Sequence, residues 1–267
     1  MQRRRSEAAE TGRTMVPEER RRRILTLMSG NHQITVNRLA AELDVSKETI
    51  RRDLRELTER RLLLKVHGGA VNTQTAQESE FSLRVAQQRA EKQRIAERAA
   101  ALFQPGDSLF IDAGSTTAIF AGALAARSGL TVITNSVDVA ARLSHGSGRN
   151  RVHLLGGEYR GDPPETVGPQ TIEQIAGFRA DHAVLTIGAI DVEGGFLDFN
   201  IDEAKVAAAM VRQAGSVTVL ADHSKLGRLA LVKVCDLKEV ARLVTDAPPP
   251  KTLGNALHAA GVEVVVA

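Results

Sequence analysis

The chain has 267 residues, 43% hydrophobic and 25% charged, with a formal net charge of +3, a composition that speaks against a fibrous or disordered protein and leaves room for two domains. Aromatic residues make up 3% and Trp is absent, which argues against a base-stacking surface for single-stranded nucleic acid. No apolar run approaches the about 20 residues that span a bilayer, no signal-peptide core opens the chain, and the one cysteine, Cys235, has no internal disulfide partner, so a cytoplasmic protein with no membrane partner is expected.

Charge is unevenly spread. Residues 1–71 carry 16 Lys+Arg against 10 Asp+Glu, and the remainder 19 against 22, so the basic excess belongs to the N-terminal quarter, where it would favour a phosphate backbone. Residues 1–16 are polar and basic and are expected to form a disordered tail.

From Pro17 a helical pattern begins, with Ile24, Leu25 and Met28 facing inward and an end near Ser29-Gly30. A short second helix follows, capped by Thr35, with Val36, Leu39, Ala40 and Leu43 on its apolar face and a tight turn at Asp44-Val45. Ser46 caps a third helix that runs to about Glu59 and turns Ile50, Leu54 and Leu57 into a shared core. Its opposite face carries Lys47, Arg51 and Arg55 four residues apart, with Arg52 beside them and Thr49 near the start. A short helix, a tight turn and a capped basic helix are the parts of a helix-turn-helix, whose second helix lies in the major groove; Arg suits bidentate contact with guanine. Residues 61–71 then read as an apolar strand and a Gly-Gly turn, a wing from which Lys65 and His67 would flank the DNA backbone or minor groove. An ordinary hairpin histidine is an equal reading of His67. Residues 17–71 are therefore expected to be a winged helix-turn-helix DNA-binding domain.

The run Val45-Ser46-Lys47-Glu48-Thr49-Ile50-Arg51-Arg52-Asp53-Leu54, followed by Val66-His67-Gly68-Gly69-Ala70, closely resembles the signature of the DeoR family of bacterial sugar-metabolism repressors, with the family's spacing.

Residues 72–90 read as a polar linker, although Phe81, Leu83 and Val85 equally suit the start of the next domain's packing. Residues 91–267 form the second expected domain. After a helix from Arg89, β-branched runs at Ser108–Asp112, Thr131–Thr134, Arg151–Leu155, Ala183–Gly188, Ser216–Ala221, Leu243–Asp246 and Val262–Val266 alternate with helical segments such as Thr117–Arg127, Val137–Leu143, Gln170–Phe178 and Asp202–Gln213. Such alternation predicts a Rossmann-like α/β domain with a mostly parallel sheet, and ligands in such sheets bind beyond the carboxyl ends of the strands.

Polar residues gather at those ends. The first strand runs into Asp112-Ala113-Gly114-Ser115-Thr116-Thr117, where Gly114 allows close approach and the hydroxyls of Ser115, Thr116 and Thr117 precede a helix N-terminus, a cradle suited to an anion. A merely capped turn is the even alternative. The loop lacks the Lys of a P-loop and the spacing of a dinucleotide fingerprint, so no nucleotide cofactor is expected, and no metal site or catalytic group is assigned. Asn135 and Ser136 end the second strand. Further along, Lys225 is the candidate for charge contact with a phosphate, Asp191 and Glu203 for sugar hydroxyls, with a surface role the equal reading of each acidic residue, and Lys205 for the same site or for pairing with a carboxylate.

These segments again resemble the DeoR family, through Asp112–Thr117, Thr134-Asn135-Ser136, Gly156-Gly157, Asp222-His223-Ser224-Lys225-Leu226-Gly227 and Thr245-Asp246. The resemblance runs from about Pro17 to Ala267. The family commonly has Thr where this chain has Ser115, and Leu197–Ile201 is where the match is thinnest. It implies an effector domain similar in fold to ribose-5-phosphate isomerase, a double-stranded DNA operator, a phosphorylated sugar or polyol effector that is bound and not converted, and repression of a catabolic operon, with activation as the other sign the same domains could serve; a homo-oligomer is expected because one recognition helix reads few bases. A sugar-phosphate isomerase with a DNA-binding appendage is the alternative, with Asp191 or Glu203 as its base.

Overall fold

The computed structural model describes residues 16–29, 33–60, 63–66, 69–72 and 81–267. They divide into two units, with the boundary between Gln77 and Glu78. Of the expected tail only Val16 falls among the described residues; residues 73–80 of the expected linker and His67 of the wing lie outside them.

The first unit contains α1 (Pro17–Ser29), β1 (Gln33–Thr35), α2 (Val36–Glu42), α3 (Lys47–Glu59), β2 (Leu63–Val66) and β3 (Gly69–Asn72). Pro17 opens α1, where its missing N–H costs nothing, and Glu18 and Glu19 favour the positive end of the helix dipole. The Thr35 hydroxyl caps α2 by accepting from the Arg38 N–H at 3.2 Å, and Ser46 caps α3 by accepting from the Thr49 N–H at 3.1 Å. Between these helices Asp44 takes a left-handed φ of 50°, the tight turn expected there. Ile24, Leu39, Leu43, Ile50, Leu54 and Leu57 form the core. β2 and β3 make an antiparallel hairpin, and β1 pairs with β3 to complete a three-stranded wing sheet. Three residues of β1 are too few for a period-two pattern to announce a strand.

The second unit opens with α4 (Phe81–Ala86) and α5 (Arg89–Ala100), so the linker expected over 72–90 is helical in its second half. α4 packs against the later helix α6, and the Phe81 N–H donates to Asp162 Oδ1 at 2.6 Å. The chain continues through β4 (Ser108–Ile111), α6 (Ser115–Leu124), β5 (Thr131–Thr134), α7 (Val137–His145), β6 (Arg151–Leu154), β7 (Glu158–Gly161), β8 (Pro164–Val167), α8 (Pro169–Ala176) and β9 (Ala180–Thr186). It ends with β10 (Ala189–Asp191), β11 (Gly195–Asp198), α9 (Ile201–Gln213), β12 (Ala214–Leu220), β13 (Val232–Cys235), β14 (Arg242–Thr245), α10 (Lys251–Ala259) and β15 (Glu263–Val266).

A parallel seven-stranded sheet in the order β15-β14-β12-β9-β4-β5-β6 forms the centre of this unit, and its strands are the seven expected β-branched runs. Both faces are covered: Leu109 and Ile111 join one core with Phe103, Phe120 and Leu124, while Phe110 between them joins the other with Leu185, Met210 and Leu257. Burial on both faces explains why these strands read as continuous apolar runs. Two smaller antiparallel arrangements, the hairpin β7-β8 and the sheet β10-β11-β13, stand beside the main sheet.

Candidate functional site

On α3 the sequence pattern separates two faces. Ile50, Asp53, Leu54 and Leu57 are buried, whereas Lys47, Arg51, Arg52 and Arg55 are exposed. Ser46 and Thr49 are committed to the helix start, their hydroxyls 2.8 Å apart. Arg51 Nη1 donates to Glu48 Oε2 at 3.1 Å, an exposed pair that a DNA phosphate would readily replace. In the wing Lys65 stands opposite Ala70. The arginine of α1 that buries against Asp53 had no signal in the basic pattern, because Arg20 lies in the run Arg20-Arg21-Arg22-Arg23, which reads as a solvated surface.

In the second unit the chain moves outward from β4 through β5 to β6 on one side and from β9 through β12 and β14 to β15 on the other. The order reverses between β4 and β9, and the crevice beyond the carboxyl ends of strands at such a switch point is where ligands bind. Asp112 bridges that point: both carboxylate oxygens accept from the Thr186 N–H at 3.0 Å, and its own N–H donates to Val184 O at 3.3 Å. Burial pushes this carboxyl well above the usual range; the Thr186 N–H opposes the shift, and the charges of Asp198, Glu165 and Glu203 add to it.

The loop after β4 is buried throughout. α6 begins at Ser115, two residues earlier than the helix expected from Thr117. The Thr117 hydroxyl donates to Gly114 O at 3.1 Å, so it serves its own turn, and Ser115 Oγ accepts from Lys92 Nζ at 3.0 Å. Lys92 Nζ also donates to Arg84 O at 2.5 Å, which ties the loop to α4. The helix start and a buried ammonium thus meet at one place, an arrangement suited to an anion.

Beyond β5, Ser136 caps α7 by accepting from the Val139 N–H at 3.3 Å. Asn135 Nδ2 donates to Glu165 Oε2 and to Thr166 O, both at 3.0 Å. Asn135 Oδ1 and Glu165 Oε1 are buried without a hydrogen-bond partner of their own, so this amide and carboxyl retain capacity for a polar ligand group. Burial pushes the Glu165 carboxyl up to about 8; the hydrogen bond from Asn135 and the Arg160 and Arg84 charges oppose it, so it holds its proton at neutral pH.

Asp112, which opens the loop carrying Ser115–Thr117, feels the charges of Glu165 and Glu203, and Asn135, next to Ser136, donates to Glu165. Asp191, expected to hold a ligand hydroxyl, uses Oδ1 to accept from the Glu193 and Gly194 N–H groups at 2.9 Å and so fastens the turn between β10 and β11. A carboxylate after a strand serves a turn or a site equally well in sequence, and the turn role shows only once the hairpin is formed. Lys205 is exposed on α9. Lys225 ends a 3-10 turn after β12 that Asp222 caps through the Ser224 N–H at 2.9 Å. Beside it His223 Nδ1 lies 2.7 Å from Asp246 Oδ2.

Sequence reasoning missed Glu165, Asp198 and Lys92. Glu165 and Asp198 lie on β8 and β11, short strands of the side sheets. Lys92 did leave a signal: it falls at helical spacing from Ile95, Ala96 and Ala99, on the buried face of α5, where a lysine needs a partner.

The family model of the DeoR C terminal sensor domain matches residues 87–247, and that of the DeoR-like helix-turn-helix domain matches residues 20–76. The chain belongs to the DeoR family. It is a DNA-binding transcriptional regulator built from an N-terminal helix-turn-helix domain and an α/β sensor domain. Among its relatives in Escherichia coli (strain K12), the HTH-type transcriptional repressor CsqR is 35% identical over 91% of this chain and 93% of its own length. The glycerol-3-phosphate regulon repressor of the same organism is also 35% identical, over 91% of this chain and 96% of its own length. Among solved structures, ribose 5-phosphate isomerase A from Methanocaldococcus jannaschii aligns with a TM-score of 0.40 at 17% identity, covering 53% of this chain and 56% of that one. Among the described residues of this DeoR-family chain, no helix is long and apolar enough to cross a membrane.

Proposed function

We propose that this DeoR-family regulator represses a sugar or polyol catabolic operon and that a phosphorylated sugar or polyol, bound beyond the carboxyl ends of β4 and β9, releases it from its operator. The observation that carries the effector reading is the buried Lys92 Nζ held 3.0 Å from Ser115 Oγ at the start of α6, where a phosphate would meet a cation and a helix N-terminus together. Asp112, three residues before Ser115, is coupled to Glu165 and Glu203, and Asn135 donates to Glu165; these would supply groups suited to hydroxyls, and Lys225 is the candidate for a second charge contact. The name of the glycerol-3-phosphate regulon repressor is consistent with a phosphorylated polyol. A coupling of about 1–3 kcal/mol between the two sites would give roughly 5- to 150-fold control of operator affinity. The regulator acts in the cytoplasm without a cofactor, as a homo-oligomer, because one recognition helix reads few bases and paired half-sites multiply affinity.

Binding without conversion is supported by the relatives, which are named as repressors, and fits Asp191, whose Oδ1 already accepts two N–H groups of the β10–β11 turn. The test is a thermal-shift screen against phosphorylated sugars and polyols beside their unphosphorylated parents, followed by operator release with each hit. A shift that requires the phosphate, release of DNA, and loss of that release in Lys225→Ala are expected. Flat curves for every phosphorylated compound would remove the sensor reading, and appearance of an isomer of the added sugar phosphate would favour the enzyme.

A further inference from the structure

Asp53 is an acidic residue inside the basic recognition helix, and it points inward: it is 2% exposed. Arg20 of α1, itself 7% exposed, meets it with Nε 2.5 Å from Oδ2 and Nη2 3.2 Å from Oδ1. Arg21 adds Nε at 3.4 Å from Oδ1 and sends Nη1 to Glu56 Oε1 at 2.6 Å. Arg60 Nη2 reaches the same Glu56 oxygen at 2.6 Å, and Arg60 Nη1 reaches Glu18 at 3.2 Å. Two acidic residues of α3 are thereby clamped by two consecutive arginines of α1.

Stability alone does not account for this clamp. Desolvating a buried ion pair costs about as much as its attraction returns, and an apolar pair of similar volume often serves stability as well. The guanidinium-carboxylate fork offers geometry instead: two parallel hydrogen bonds hold one rotation and one register, which apolar packing tolerates much less strictly. Arg52 and Arg51 stand next to Asp53 on the exposed side of the same helix. A roll of α3 by about 20° would carry a group about 8 Å from the helix axis through roughly 3 Å, the length of a hydrogen bond.

We propose that Asp53 is a positioning residue for DNA reading, and that its fork with Arg20 sets the roll of α3 so that Arg51 and Arg52 face base edges. The proposal rests on α3 being the recognition helix. It predicts that sequence discrimination can be lost while folding and general DNA affinity remain. The full-length chain first selects duplexes from a randomised pool; the selected duplex and a scrambled one are then compared for wild type and for Arg20→Met combined with Asp53→Leu. The double variant is expected to melt close to wild type, to bind scrambled DNA with unchanged salt dependence, and to lose about tenfold or more in the ratio of selected to scrambled affinity. A double variant that keeps this ratio overturns the proposal. Should the double variant melt low, Asp53→Asn, which keeps the shape and removes the charge, is expected to lower the ratio several-fold, and an unchanged ratio there overturns it equally. A wild-type chain that selects no sequence would instead overturn the recognition-helix reading beneath it.

Discussion

Gly114 and Thr186 approach so closely that a Cβ on the glycine would lie 2.1 Å from Cγ2 of the threonine. The backbone is not the reason for glycine, since its φ of 167° is extended and open to any residue. The reason is the switch point, where β4 and β9 are neighbours and Asp112 draws the Thr186 N–H onto its carboxylate. Gly114→Ala is expected to cost about 1–3 kcal/mol by overpacking, read in denaturant or thermal unfolding. Adding Thr186→Ser, which removes the offending methyl, should restore most of the loss; no recovery would mean that the clash is not the cause.

Glu165 makes stability depend on pH in an unusual sense. Its folded value of about 8 lies above the 4.5 of a free carboxyl, so between those values the folded chain holds a proton that the unfolded chain has lost. Stability from this group therefore falls as pH rises through that window, by up to about 1.4 kcal/mol per unit, and levels off above it. Glu165→Gln should remove this slope and stabilise the protein more at the upper end of the window than at the lower. Melting temperatures of the two proteins across the window test this, and parallel curves would refute it.

His223 gives a pH dependence of the same sign, from a cation and not from a carboxyl. The hydrogen bond to Asp246 raises its value above the free 6.5, with small further help from Asp246, Asp222 and Glu91 charges. A raised histidine stabilises the fold fully below 6.5, and that contribution is lost as pH rises through the folded value. Half of the ring is exposed, so solvent screens the pair and the effect on stability is small. The cleaner measurement is the NMR titration of the ring, whose midpoint should lie above 6.5 in wild type and drop in Asp246→Asn.

On the exposed face of α3, base and phosphate contacts should separate by their signatures. Arg51→Ala or Arg52→Ala is expected to weaken binding to the selected duplex by about 1–3 kcal/mol while sparing scrambled DNA. Arg55→Ala, one turn further along, should weaken both duplexes alike and lower the salt-dependence slope by about one. Binding curves at several salt concentrations distinguish the two patterns, and identical behaviour of all three variants would argue against a helix that reads bases.

Much of the helix-turn-helix was legible because its signals are local. Thr35 and Ser46 cap the helices that follow them, Asp44 turns the chain, and Ile50, Leu54 and Leu57 recur at helical spacing. The main sheet was legible for a different reason: runs such as Ser108–Ile111 and Thr131–Thr134 are buried on both faces and are punctuated by Asp, Gly and Asn. The side sheets were not. β11 pairs with β10 through a tight turn but also with β13, far along the chain, and Glu158-Tyr159-Arg160-Gly161 of β7 carries no apolar alternation.

The amino-acid sequence by itself determined which helix exposes a basic face, where the parallel strands run, and that polar residues collect at their carboxyl ends. Periodicity and punctuation report how a residue lies relative to its own element, and these properties need nothing more. Tertiary structure alone decided the partners: Thr186 for Asp112, Asn135 for Glu165, Ser115 for Lys92, Arg20 for Asp53, and the Glu193 and Gly194 N–H groups for Asp191. Each of these contacts brings together groups from different elements or assigns one carboxylate among competing donors. Spacing along the chain does not encode which distant group fills the space a side chain faces, so burial, raised carboxyl values and the clamp on α3 emerge only once the elements are packed.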